Sequence, residues 1–240
     1  MKFSVQLYSL REILRGRAEL LAVLPKLKAM GFDGVEFAGY YGMDAAELRA
    51  ALDATGLVAS GTHVALGELR TENLQKTIVY CKTLGLRYVG VGGAAHGTPE
   101  ETAASCAVLQ AAYEEGLKHD IVIYYHNHVR EFIPFADGSL PIDSFMAACS
   151  LELDTCWSYL GGVDNYDFIT RHRDRICLLH LKDVAEGCKF AALGDGTVDV
   201  PAVVRAAREC GIEWLVLEDE TTGQGIESVA RGAKWLRENV

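Results

Sequence analysis

Three features of the sequence predict an α/β protein built as a closed parallel (β/α)8 barrel. Eight short β-rich runs alternate with eight amphipathic stretches, and glycine repeatedly separates a helical stretch from the next run. The runs are FSVQL (3–7), GVEFA (34–38), LVASGTH (57–63), YVGVGG (88–93), IVIYYH (121–126), LELDT (151–155), ICLLHLK (176–182) and WLVLE (214–218). Each is short, rich in β-branched or aromatic residues, and bounded by turn formers. Helical period appears in RAELLAVLPKLKAM (17–30), MDAAELRAALDAT (43–55), TENLQKTIVYCKTL (71–84) and PEETAASCAVLQAAYEEGLKH (99–119). It returns in SLPIDSFMAACS, DNYDFITRHRD, VDVPAVVRAARECG and IESVARGAKWLREN. Gly31, Gly56, Gly85 and Gly211 stand where helices end in a left-handed residue. Because βα units cross over right-handed, closing the sheet is the natural way to cover every strand edge. A doubly wound open sheet is the rival, but VGVGGAAHG (89–97) lacks the spacing of a dinucleotide-binding loop.

The 240 residues show no compositional seam, so one domain spans 1–240. Hydrophobic residues make up 50% and charged residues 23%, which suits a packed core and excludes a disordered chain. A formal charge of −10 opposes nucleic-acid binding, which needs a basic face. The first residues, MKFSVQLYSLREILRG, are unlike a signal peptide, and seven cysteines without a C-x-x-C pair fit reduced thiols, so a cytoplasmic location is expected. Cys81, Cys106, Cys149, Cys156 and Cys210 read as packing residues.

In such a barrel the chemistry stands at the carboxyl ends of strands, on every second residue. The fifth strand ends with His126 and His128 in one parity, the sixth with Glu152 and Asp154, the seventh with His180 and Lys182, and the eighth with Glu218 and Glu220. Four successive strands thus end in inward ionisable pairs, which would repel one another without a central cation. Imidazole with carboxylate is the donor set of Mn, Co, Zn or Fe, so one divalent metal ion is expected, with His126, Asp154, His180 and Glu218 as the most economical ligands.

The segments GFDGVEFAG (31–39), GLVASGTHVAL (56–66), YYHNHVREF (124–132), LELDTCW (151–157), LLHLKD (178–183) and LGDGTVDVPAVVRAARECGIEWLVLEDE (193–220) resemble the sugar phosphate isomerase/epimerase family with the xylose isomerase-like TIM barrel. That family includes inosose dehydratases and ketose 3-epimerases and, more distantly, endonuclease IV. The resemblance implies metal ligands Glu, Asp, His and Glu from the last four strands. The last three correspond to Asp154, His180 and Glu218, whereas His126 stands at the fifth-strand position, with Glu131 as the competing fourth ligand.

It also implies a sugar or sugar phosphate isomerase or epimerase working by proton abstraction beside a metal-bound carbonyl. Replacing one glutamate by His126 removes one of two opposed bases, which brings a lyase or dehydratase of an inosose or 3-keto sugar close behind. Catalytic candidates are His128, Glu131, Lys182 and Glu218. Glu36, His63, His96 and Arg130 are candidate substrate contacts, with Asp195 on a loop over the mouth and Trp157, Tyr159, Phe132 and Trp214 as an aromatic wall. A small carbohydrate is the expected partner, with neither nucleic acid nor membrane, and the resemblance leaves a homodimer open. An endonuclease IV-like nuclease and a non-catalytic sugar-binding barrel are the remaining alternatives.

Overall fold

The computed structural model describes residues 1–240. Eight parallel strands close into a barrel: Lys2–Gln6 (β1), Gly34–Ala38 (β2), Val58–His63 (β3), Tyr88–Val91 (β4), Val122–His126 (β5), Ser150–Asp154 (β6), Ile176–Leu181 (β7) and Trp214–Leu217 (β10). They neighbour one another around the ring in the order β1, β10, β7, β6, β5, β4, β3, β2. Two short strands absent from the sequence reading, Asp183–Ala185 (β8) and Lys189–Ala191 (β9), form an antiparallel hairpin after β7.

The helices are Arg17–Ala29 (α1), Ala45–Thr55 (α2), Thr71–Leu84 (α3), Pro99–Leu117 (α4), Pro141–Ala148 (α5), Thr155–Leu160 (α6), Asn165–Arg171 (α7), Val200–Cys210 (α8) and Gly225–Asn239 (α9). The short α6 is the one helix the periodicity did not show; it begins where Asp154 caps its first turn, accepting from the backbone N–H groups of Cys156 and Trp157. Gly56, Gly85 and Gly211 end α2, α3 and α8 with φ of 69°, 86° and 70°, so each turns into its strand without a Cβ penalty.

The main apolar core lies between barrel and helices, where Val5, Val35, Val89, Leu151 and Leu215 face the surrounding layer. Inside the barrel, Tyr124, Leu178, Val216 and Trp214 form a separate small cluster. Trp214 opens its strand opposite Lys2, at the end of the barrel away from the strand carboxyl ends. It therefore plugs the floor, which corrects its placement in an aromatic wall at the mouth. The inward positions of β3 and β4 are Gly61 and Gly90: a Cβ at Gly90 would come within 2.2 Å of the Tyr124 ring, and one at Gly61 within 2.6 Å of Glu36 Oε1. Glycine here makes room for Tyr124 to cross the lumen and meet Glu36.

Candidate active site

Strand register brings the ionisable residues together. His126 pairs with Glu152, Asp154 with His180, and His180 with Val216, one residue pair below Glu218. Side chains paired across neighbouring strands point to the same face, so all of these enter the lumen or its mouth. A register shift between Leu151 and Glu152 adjusts β6 against β7 at this level.

The lowest layer is carboxylate. Glu36, wholly buried, accepts from Gln6 Nε2 at 2.7 Å and from Tyr124 Oη at 2.5 Å, and its Oε2 lies 2.6 Å from His180 Nε2. Glu152, also wholly buried, places Oε2 2.7 Å from His63 Nε2 and 3.2 Å from His126 Nδ1. Burial alone would raise the Glu152 pKa, but His180, His126 and His63 outweigh it and hold the carboxyl well below its usual range. Glu36 is raised, chiefly by burial and then by the charge of Glu152.

Above this layer each of two imidazoles is held at one nitrogen and turned upward at the other. His180 leaves Nδ1, 3.4 Å from Glu218 Oε2, and His126 leaves Nε2. Asp154 spends Oδ1 on the two α6 amides, while its buried Oδ2 has no hydrogen-bond partner. One ligand atom from each of His126, Asp154, His180 and Glu218 falls within 4.8 Å of all the others. Two nitrogen and two oxygen donors, an unpartnered buried carboxylate oxygen, and imidazoles steadied from behind by carboxylates together fit a divalent transition-metal ion. His63, His126, Glu152 and His180 also converge within 4.8 Å, but there Glu152 Oε2 is shared between two of the imidazoles.

Beside this cluster Lys182, 1% exposed, puts Nζ 3.2 Å from Glu218 Oε2 and 3.8 Å from Asp154 Oδ2, and it also contacts Glu220. Burial opposes its charge, yet Glu218, Asp154 and Glu220 outweigh burial and raise its pKa. The ammonium lies 4.7 Å from the ring centroids of both Trp157 and Phe190. A cavity of about 370 Å³ opens over these groups, lined by Tyr8, Ala38, His63, Gly92, His126, His128, Trp157, Glu218 and Glu220. The His128 ring stands 5.0 Å from that of His126 and 5.6 Å from that of Trp157, and burial lowers its pKa.

A profile described as the xylose isomerase-like TIM barrel matches residues 24–239. The chain belongs to that family. Among its relatives, the rhizopine catabolism protein MocC of Rhizobium meliloti is 24% identical, over 86% of this chain and 76% of that protein. An inosose dehydratase of Lacticaseibacillus casei is 26% identical, and that match spans only 52% of this chain and 49% of the other. Among solved structures, a sugar phosphate isomerase/epimerase from Parabacteroides distasonis superposes with a TM-score of 0.83 at 22% identity, covering 99% and 98% of the two chains. A 3-keto-D-glucoside 4-epimerase from E. coli gives 0.70 at 16% identity, covering 99% of each. These likenesses establish the fold.

Within this family barrel the remaining sequence candidates divide. Glu36, His63, His128 and Lys182 belong to the cluster or its cavity. Glu131 does not: its buried carboxylate accepts from Tyr125 Oη at 2.6 Å and from the His128 backbone N–H at 3.0 Å, outside both ligand groups. Its place as competing fourth ligand is corrected to that of a brace for the loop carrying His128. His96 is likewise drawn aside, with Nδ1 2.7 Å from the Ala94 carbonyl and Nε2 3.8 Å from Glu131 Oε1. Arg130 is exposed and lines neither the mouth cavity nor its neighbour. Asp195 is exposed on a loop gathered from below by Asp183, whose carboxylate accepts from the backbone N–H groups of Gly194, Gly196 and Val198. Phe132 packs against Phe168 and Tyr159 lines a different hollow, so of the expected aromatic wall Trp157 is the member that lines the mouth.

Gln6, Tyr8 and Tyr124 were not singled out by the sequence reading, and Glu152 was seen as inward without a role. Parity was the available signal for Tyr124, which lies two residues below His126 on β5.

Proposed function

We propose that this barrel is a divalent-metal-dependent enzyme acting on a keto sugar. It removes the proton beside the carbonyl and expels the oxygen substituent one carbon further on, a dehydratase or lyase reaction. His126, Asp154, His180 and Glu218 would hold the ion, drawn from Mn, Co, Zn and Fe, and when bound it supplies a Lewis acid that polarises the carbonyl.

One observation carries the choice of elimination. A proton acceptor, His128, lines the cavity, and a proton donor, the buried Lys182 ammonium, lies against Glu218 and Glu220 of the same lining; both pack on the Trp157 ring, at 5.6 Å and 4.7 Å. The His128 imidazole, kept neutral by burial, takes the proton as the C–H bond breaks. The electron pair forms the new C=C bond as the neighbouring C–O bond breaks, and Lys182 protonates the departing oxygen, releasing water or an alcohol and leaving an enone. Glu218 and Glu220 keep Lys182 charged until that step. Relatives named as inosose dehydratases agree with this reading.

Isomerisation is the second reading, supported by the same one-sided base, which is able to return the proton to the adjacent carbon. Epimerisation by two opposed bases has less support, because His126 is buried and tied to Glu152 where a second glutamate would be needed.

The test is incubation of metal-loaded protein with keto sugars and 3-keto glucosides in deuterated water. Elimination yields an enone with equimolar release of water or alcohol, and both are lost in His128→Ala. Solvent deuterium in a product that retains all its oxygens turns the assignment to isomerase. If neither label nor release appears with any keto sugar, the reading fails.

A further inference from the structure

A second cavity of about 360 Å³ adjoins the mouth, lined by Gly39, Tyr40, His63, Val64, Ala65, Glu68, Lys76, Thr77 and Tyr80. The two cavities meet at Ala38, Gly39 and His63, and His63 lines both. Its imidazole is held by Glu152 at 2.7 Å, so the shared wall is a fixed one. From this continuity we infer that the second cavity is a subsite for the aglycone of a glycoside whose sugar ring occupies the mouth, and that the aglycone is a ring with an apolar face. The inference rests on the reading of the mouth as a sugar site and narrows the substrate from a free keto sugar to a ring-bearing glycoside.

The chemistry of the walls supports that occupant. Tyr40 and Tyr80 stack with ring centroids 4.2 Å apart, and Val64 and Ala65 add apolar surface. Neither tyrosine is free to swing: Tyr80 Oη donates to the Met43 carbonyl at 2.8 Å, and Tyr40 Oη lies 3.4 Å from Thr62 Oγ1. The loop presenting Tyr40 is held in an unusual conformation, with φ of 97° at Gly39, 54° at Tyr41 and 73° at Gly42. A left-handed tyrosine between two left-handed glycines is strain that the surrounding structure maintains. A Cβ at Gly39 would meet nothing within 4 Å, so there is open space beside the loop at this point of the lining. Glu68 and Lys76 are both exposed among the lining residues, and together they suit a neutral ring better than an anionic group.

Binding of phenyl and methyl β-D-glucopyranoside to manganese-loaded protein, measured by calorimetry, tests the subsite without requiring turnover. Phenyl glucoside is expected to bind on the order of tenfold more tightly, from the added burial of an apolar ring. Ala65→Trp, an exposed position on the subsite wall, should abolish that preference and leave the methyl glucoside unchanged. Tyr80→Phe keeps the stacking face and should keep the preference. Equal affinities in the wild type, absence of binding by either glucoside, or a preference that survives Ala65→Trp would overturn the inference. A preference for phenyl glucoside without any proton exchange on keto sugars leaves the subsite standing and removes the catalytic reading; exchange without preference does the reverse.

Discussion

His180 Nε2 and Glu36 Oε2 lie 2.6 Å apart inside the barrel, joining β7 to β2 through the lumen. This contact fixes which nitrogen of His180 faces the mouth, and Gln6 and Tyr124 hold the glutamate from its other sides. A carboxylate behind a ligating imidazole sets its tautomer and orientation, and losing such a partner typically costs 10- to 100-fold in metal affinity. Glu36→Gln should therefore weaken Mn binding by about that factor. Glu152→Gln should have a comparable effect through His126. Competitive titration against a chelating dye measures both, and unchanged affinity in the two variants would show that neither carboxylate orients a ligand.

Lys182 is the one buried cation among Asp154, Glu218 and Glu220. Removing it leaves those carboxylates facing one another without a counter-charge. Loss of one partner from a buried ion pair costs about 3–5 kcal/mol. Lys182→Met should lower metal-free stability by roughly that amount in urea unfolding. Saturating Mn should restore more stability in the variant than it adds to the wild type, because the ion supplies the missing positive charge. Equal gains in both proteins would show that lysine and metal respond to different carboxylates.

Much of this site was legible from alternation alone. A strand's two-residue period assigns His126, Asp154, His180 and Glu218 to one face, and the closed barrel turns that face to a common axis. The residues after the strands were harder to place. Glu131 and His96 follow the strands on loops, where no period governs direction, and hydrogen bonds to Tyr125 Oη and the Ala94 carbonyl draw them aside. The β8–β9 hairpin was hidden because its strands are three residues each, too short for any pattern to declare. Glu152 carried the right parity, but only the packed structure shows it shared between His63 and His126.

Chelator-treated protein should lose stability as pH rises through neutrality. Asp154 is raised to about 7, chiefly by burial and partly offset by Lys182, so the folded state holds a proton that the unfolded chain has released. Such a group stabilises most below its unfolded value and loses that contribution as pH rises through the folded one. His180, raised because Glu152 and Glu36 outweigh burial, acts in the same direction. Below about pH 6.5 the buried His126 and His128, both lowered, oppose this trend, so the aspartate is isolated by comparison: between about pH 4 and about pH 7 the urea midpoint of the wild type should fall relative to that of Asp154→Asn. The same pH dependence in both proteins over this interval contradicts the assignment.

Asp183 governs the loop between the hairpin and α8. Its Oδ1 accepts from the backbone N–H groups of Val184 and Val198, and its Oδ2 from those of Gly194 and Gly196, all between 2.9 and 3.1 Å. A Cβ at Gly196 would come within 2.1 Å of Asp183 Oδ1, so loop and carboxylate leave no slack. Hydrogen bonds to a charged acceptor contribute about 1.5–3 kcal/mol each, though not additively. Asp183→Ala should cost at least about 3 kcal/mol in urea unfolding, and Asp183→Asn somewhat less because one side-chain oxygen remains. Amide exchange should accelerate first at Gly194 and Gly196, whose N–H groups lose this acceptor. Because Asp183 lies on β8 directly after Lys182, loosening it should also release the lysine from Glu218. The expected consequence in Asp183→Ala is a fall in turnover larger than the change in Mn affinity. Equal losses in turnover and in metal affinity would instead mean that the loop supports the ligand cluster as a whole.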